Sequence, residues 1–349
     1  TFKTNFGLDI ANKRDYNYTT SKITTSTGYG KGGNGYTKKM SRLTENILSY
    51  MNEWGDHRFT ATGVYSWQNY MYETLSISGN GFANDETGAW DMGQANRETV
   101  EYGSDKYENS LISWTGRVTY AYKDRYLLTA TARYDGSSRF GENNKWGFFP
   151  SIGLAWRASE EKFLAGNKVI TNLKVRGSFG VTGNQEIGNY KSLAQLKVDN
   201  YIYNDTEIQG FYETIGNPDL KWERANQFDI GIDLSLWNRI HVTADYYHRK
   251  TSDLLYNVPI PSTSGFSSML SNVGSVLNKG WELSITGNII DLNDLKIDAT
   301  VNLSRNTNKI KELYNDVQSI TLKSGLGLSS YLKVGESLNS RYALLADGI

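Results

Sequence analysis

The chain keeps returning to a two-residue rhythm. Phe59, Ala61, Gly63, Tyr65 and Trp67 are separated by Thr60, Thr62, Val64 and Ser66. Tyr126, Leu128, Ala130, Ala132 and Tyr134 face away from Thr129, Thr131, Arg133 and Asp135. The rhythm recurs over 112–122, 148–156, 173–181, 228–246 and 281–303. A period of two sends neighbouring side chains to opposite faces of a strand, so each segment predicts a ribbon with one apolar and one polar side. The pattern predicts about eleven or twelve strands of roughly 9–12 residues, longer than the usual five or six.

The segments between strands sort into two kinds. Tight connections are expected near 52–57, 123–124, 158–169, 237–238 and 291–294. Long ones are expected near 11–41, 69–109, 136–146, 183–223, 251–278 and 306–330. The two kinds alternate strictly. A soluble sandwich has no reason to place every long loop at one end, whereas a membrane barrel does. Its strands cross ~25 Å of hydrocarbon at a steep tilt, with short turns on one side and long loops on the other. The expected fold is therefore all-β: a transmembrane antiparallel up-and-down barrel.

The charges follow the same logic. Arg117, Arg133, Lys174, Arg176, Asp229, Asp233 and Asp245 all fall on polar faces, expected to line the lumen. On the lipid face, an Arg or Lys at mid-depth costs about 2–4 kcal/mol. Trp114, Tyr122, Tyr126, Tyr134, Phe148 and Trp156 sit toward the ends of the apolar faces, as interfacial girdles require. Two rivals use the same alternation: a secreted all-β glycan-binding or adhesin module, and a barrel-embedded hydrolase.

Composition narrows the field. Lys plus Arg equals Asp plus Glu at 37 each, which leaves no global basic field to draw in nucleic acid. Cysteine is absent, excluding disulfide scaffolds and thiolate metal sites. No apolar run of about 18 residues offers a transmembrane helix. The sequence begins and ends within strand-like pattern, so a piece of something larger is expected.

Several constellations invite chemistry. "GYGKGGNG" at 28–35 resembles a phosphate loop, but it leads into a strand rather than a helix, and a flexible outer loop is the plainer reading. His57 falls in a tight turn, while His241 and His248 point to opposite faces of one strand, so no metal site or cofactor is expected. Asp229, Asp233 and Asp245 share lumen-facing registers, yet barrel lumens carry solvated ionic ladders without catalysing anything; no catalytic residue is assigned. Trp90 in "NDETGAWDMG", and Tyr201, Tyr203, Phe211 and Tyr212 in "DNYIYNDTEIQGFYET", are candidate ligand contacts, because flat rings beside polar groups suit sugars and peptides alike. In "GSSRFG" at 136–141 a structural role is expected: Gly136 and Gly141 for tight backbone, Arg139 pairing with Asp135.

The stretch "RVTYAYKDRYLLTATARYDGSSRFGENNKWGFFPSIGLAWRASEEKFL" at 117–164 resembles the barrel of SusC/RagA-like TonB-dependent outer-membrane transporters. So do "LKVRGSFGVTGNQEIGNY" at 173–190, "NPDLKWERANQFDIGIDLSLWNRIHVTADYYHRKTSDLL" at 217–255, "SNVGSVLNKGWELSITGNII" at 271–290 and "VGESLNSRYALLADGI" at 334–349. The resemblance implies a 22-stranded barrel with an N-terminal plug, of which residues 1–349 would form about the C-terminal half of the wall, with plug and closing strands lying outside. It implies the outer membrane of a Gram-negative bacterium and import of bulky nutrients, glycans first and peptides second. It also implies a SusD-like surface lipoprotein as lid and the TonB complex as energy source.

Overall fold

The structure, a computed structural model, describes residues 1–23, 29–203, 206–292, 294–322, 329–338 and 340–342, with the backbone alone at 197–203, 206–214, 262, 291, 321–322, 329–330 and 342. In chain order the strands are β1 (Phe2–Thr19), β2 (Gly30–Trp54), β3 (His57–Phe82), β4 (Glu101–Tyr122), β5 (Tyr126–Ser137) and β6 (Trp146–Arg157). Then come β7 (Ile170–Asn184), β8 (Gln195–Tyr203), β9 (Thr206–Thr214), β10 (Glu223–Leu236), β11 (Ile240–Ser252), β12 (Leu255–Pro259) and β13 (Ser268–Asn272). The last are β14 (Ser275–Asp291), β15 (Lys296–Glu312), β16 (Ser319–Leu322), β17 (Ser329–Lys333) and β18 (Arg341–Tyr342). Eleven of them hydrogen-bond in the order β1-β2-β3-β4-β5-β6-β7-β10-β11-β14-β15. The remaining strands form small sheets within the connections, β8 with β9, β12 with β13, and β16 with β17 and β18.

Two compact units share these strands. One comprises Thr1–Phe2, Ile47–Val64 and Ser113–Ile349; the other comprises Lys3–Asn46 and Tyr65–Ile112.

In the larger unit, register turns the alternation into two chemically distinct surfaces. Tyr126 pairs with Trp156, Trp156 with Val175, Val175 with Ile232, Ile232 with Ala244, Ala244 with Leu283 and Leu283 with Leu303. One step away, Arg157, Lys174, Asp233, Thr243, Ser284 and Asn302 follow one another across neighbouring strands on the other face. A one-residue slip anywhere would carry a strand's apolar set to the wrong side. The apolar face is open: Ile152, Leu154, Phe228, Ile230, Ile232 and Val301 are each 44–58% exposed. Among the described residues no second layer covers them.

The tight turns use backbone that matches strand twist. Lys123 and Asp124 both adopt positive φ (54° and 53°), as do Trp237 and Asn238 (52° and 55°). Two successive left-handed residues favour the right-handed hairpin twist, which explains tolerance of a bulky Trp there. Around the turn ends runs an aromatic belt: Trp54 stacks on His57 at 5.5 Å, His57 lies 4.9 Å from Tyr122, and Tyr122 stacks on Tyr126 at 6.4 Å. The Tyr126 hydroxyl and the Trp156 indole both donate to Glu161.

Strand extents differ from the sequence expectation. β2, β3 and β4 run to 25, 26 and 22 residues instead of roughly 9–12, so most of the loops expected over 11–41 and 69–109 are strand. The expected loop over 306–330 begins only after Glu312. The reason is physical: a ladder is held by backbone hydrogen bonds that any residue supplies, and outside the apolar band both faces meet water, so alternation is no longer imposed. The connections at 183–223 and 251–278 hold the β8–β9 and β12–β13 hairpins.

Candidate functional site

The polar face of the larger unit concentrates charge on β7, β10 and β11. Arg176 sits between two carboxylates: its Nε lies 3.3 Å from Asp233 and its Nη2 lies 2.7 Å from Asp245. Lys174 Nζ lies 3.5 Å from the same Asp233 carboxylate. To reach Asp245 the guanidinium must cross the intervening strand, and it does so over Gly231, which pairs with both Arg176 and Asp245. A Cβ on Gly231 would overlap both side-chain ends. Asp229 accepts from Gln227 Nε2 at 2.9 Å and from Ser178 Oγ at 3.3 Å. Arg176, Ser178, Gln227, Asp229 and Asp245 border a polar recess of about 690 Å³ with Tyr247, Arg249 and Glu282 on its rim. The carboxylates are paired or hydrogen-bonded and half-exposed.

Asp229, Asp233 and Asp245 thus share one face with Arg176, and only Asp233 and Asp245 are bridged by it. Arg117 lies on the polar face of β4 and is exposed. Arg133 stays on the polar face of β5 and takes the partner expected of Arg139. Its Nε lies 2.7 Å from both oxygens of Asp135, and its Nη2 donates to Ser113 Oγ at 3.0 Å. Arg139, expected on Asp135, instead donates through Nη1 to the Gln185 carbonyl at 3.3 Å. Residues two apart in a strand share a face, so Arg133 is already aimed at Asp135, while Arg139 lies beyond the strand end.

Apart from the exposed Ser138, the remainder of 136–141 is packed rather than displayed. Phe140 is 1% exposed and meets Trp222 at 4.9 Å; Leu220 is fully buried beside it. Gly141 N–H donates to the Leu220 carbonyl, Asn144 Nδ2 to the Asp219 carbonyl, and Trp222 Nε1 to the Lys145 carbonyl at 3.0 Å. Gly141 is required here because a Cβ would overlap the Pro218 carbonyl. Across the next strands, the Asn272 amide accepts from Lys221 N–H at 2.8 Å and donates to the Lys221 carbonyl at 2.7 Å and the Asp253 carbonyl at 3.0 Å. Asn217 Nδ2 donates to the Leu270 carbonyl at 2.8 Å. Three long connections are thereby braced together around 138–145, 217–222 and 270–272. Periodicity is blind to this brace, because its residues lie between strands; their aromatic and Asn content was the available signal.

In the smaller unit, Trp90 sits on a 3-10 turn and stacks on Tyr16, ring centroids 4.6 Å apart and planes 18° from parallel. It is 59% exposed. The side chains of Tyr201, Tyr203, Phe211 and Tyr212 lie outside the described residues; their backbone forms the β8–β9 hairpin. His57 opens β3, with Nδ1 2.6 Å from the Tyr120 hydroxyl, and His241 Nδ1 lies 2.9 Å from Ser235 Oγ. The glycines of 30–32 begin β2, with Gly30 and Gly32 under the Tyr18 ring, as strand rather than phosphate loop.

A family model described as TonB dependent receptor-like, beta-barrel, matches residues 1–345. TonB-dependent receptor P3 of Formosa agariphila is 35% identical over 358 residues, covering all of this chain and 35% of that protein. TonB-dependent receptor SusC of Bacteroides thetaiotaomicron is 39% identical over 224 residues, 62% of this chain and 22% of that one. Among solved structures, that of the RagAB peptide transporter superposes with a TM-score of 0.86 at 29% identity, over 96% of this chain and 37% of the other. The chain spans about a third of the length of the curated relatives it matches most fully.

Proposed function

Because the chain belongs to the TonB-dependent receptor-like β-barrel family, in its SusC/RagA-like branch, we propose that it forms part of the wall of an outer-membrane nutrient importer. The observation that carries this reading is the registered pair of faces, an apolar surface with no covering layer backed by a surface of ion pairs. Acyl chains satisfy the first and a water-filled passage satisfies the second. In this reading the belt around Trp54, Tyr122, Tyr126 and Trp156 lies at the periplasmic interface, and the braced connections form the extracellular rim. Arg117, Arg133, Arg176, Asp229, Asp233 and Asp245 line the passage. The cargo is a bulky nutrient, a glycan by preference and a peptide as second choice; likeness to a peptide transporter supports the second. A SusD-like lipoprotein closes the mouth and the TonB complex drives uptake. Tyr201, Tyr203, Phe211 and Tyr212 are the proposed contacts to cargo or lid.

The test is uptake of labelled oligosaccharides and oligopeptides by cells lacking the full-length parent gene. Loss of one cargo class, restored by the parent gene and abolished again without TonB, is the expected result. Recovery of the intact parent as a detergent-free soluble monomer would refute the reading.

A further inference from the structure

The Trp90 platform faces away from the polar side of its sheet. In β1 the exposed apolar residues Phe6, Leu8 and Ile10 occupy even positions, and Arg14 and Tyr16 continue the same face. Trp90 folds onto that face from the β3–β4 connection, stacking on Tyr16, with Arg14 Cζ 4.4 Å from the Trp90 ring centroid. Hydrogen bonds from Arg14 Nε to Asn34 and from the Tyr36 hydroxyl to Asn12 put Asn34 and Tyr36 on this face of β2. Alternation then adds Lys38; Arg42 shares the face but stands level with Leu8, since Gly7 meets Leu43, and so lies in the apolar band below. Glu73 on β3 shares the face, because Thr37 meets Thr74 at 3.2 Å on the opposite one, and it offsets one of the two cations.

Height decides what this surface meets. Ile10 is the last aliphatic residue of the β1 band, and Tyr16 lies six residues further, ~20 Å along the strand. At a tilt near 40° that is ~15 Å above the acyl boundary. At that level the outer leaflet of a Gram-negative envelope presents the phosphorylated sugars of its glycolipid. A half-open aromatic pair suits a sugar face, and guanidinium groups suit phosphate. We propose that Arg14, Tyr16 and Trp90, with Lys38 below them, bind the phosphorylated saccharide of lipopolysaccharide from the membrane side. The inference is independent of which cargo the lumen carries.

The experiment uses the full-length parent in nanodiscs, titrated with purified lipopolysaccharide, its delipidated core oligosaccharide, and phosphatidylglycerol vesicles. Arg14→Glu, and separately Arg14→Ala with Tyr16→Leu, are expected to weaken lipopolysaccharide binding tenfold or more. Nutrient uptake and heat-modifiable gel mobility should be unchanged. Binding unchanged in both variants overturns the proposal, as does equal loss toward phosphatidylglycerol vesicles, which marks unspecific charge attraction. Loss of nutrient uptake or of a co-purifying lipoprotein with lipopolysaccharide binding intact also overturns it, assigning the platform to cargo or lid. A variant that fails the mobility check is replaced by Lys38→Glu, which leaves the stack untouched and is held to the same outcomes.

Discussion

Ile232→Arg set beside Thr243→Arg tests the facing of the whole sheet. Ile232 is the third of five apolar residues on the outward face of β10, between Phe228, Ile230 and Leu234, Leu236, and it pairs with Val175 and Ala244. An Arg there stands near the bilayer midplane, with Asp233 on the far side of the sheet and out of reach. Arginine at mid-depth costs about 2–4 kcal/mol, equivalent to roughly a 30- to 700-fold fall in the folding constant at 1.4 kcal/mol per decade. Thr243 is directly paired with Asp233 on the polar face. An Arg at Thr243 meets water and a carboxylate, so its effect should stay within about 0.5 kcal/mol. The assay is urea titration of the full-length parent folded into vesicles, followed by tryptophan fluorescence. A large shift for Ile232→Arg and almost none for Thr243→Arg is expected. Equal shifts, or a silent Ile232→Arg, would refute the assignment of the open apolar face to lipid.

Gly141→Ala should destabilise by about 1–3 kcal/mol in the same titration, since its methyl group overlaps the Pro218 carbonyl. Gly63→Ala, where a Cβ meets nothing within 4 Å, serves as the neutral control. Trp222→Ala removes a 5%-exposed ring held between Phe140 and Phe149 and should cost about 3–5 kcal/mol. Asp85, in the β3–β4 connection, is held below the usual carboxylate range by hydrogen bonds from Ser21 side chain and backbone and from Tyr18. A depressed folded value means its contribution is complete above the unfolded pKa of about 3.9 and fades as pH falls through the lower folded one. Proteolytic nicking of 83–100 should therefore stay slow at pH 5 and rise only below about 4; Asp85→Asn should nick readily at both.

Alternation made the membrane-level strands legible, because lipid on one side and water on the other leave each residue only one acceptable polarity. Leu173, Val175, Phe179 on β7 and Phe228, Ile230, Ile232 on β10 are strand-forming for that reason. The upper halves of the long strands carry no such mark. Tyr70, Tyr72, Thr74, Ser76 and Ser78 of β3 continue a ladder with water on both sides, and nothing in their polarity separates strand from loop. The same holds for Asn302–Glu312 of β15. For the polar cluster, alternation put Arg176, Asp233 and Asp245 on one face, but contact between the first and last depends on pairing register and on Gly231 lying between them. Trp90 could not be placed from sequence, since its side of the sheet is set by the fold of an irregular connection over Tyr16.

The stretches that made the family recognisable have a shared physical task, distinct from handling cargo. Phe140, Leu220 and Trp222 bury one another, Gly141 clears a carbonyl, and Asn217 and Asn272 serve backbone groups that would otherwise be unpaired. Each of these requirements is satisfied by one side-chain shape, so the sequence there is tightly specified whatever passes through the lumen. Residues exposed on the recess, such as Gln227, Tyr247 and Arg249, carry no packing obligation of that kind. In the importer reading proposed above, cargo preference would be written in residues free of such packing obligations. Exchanging the β8–β9 hairpin or the recess side chains between relatives should change what is imported, whereas exchanging the brace should change only whether the rim folds.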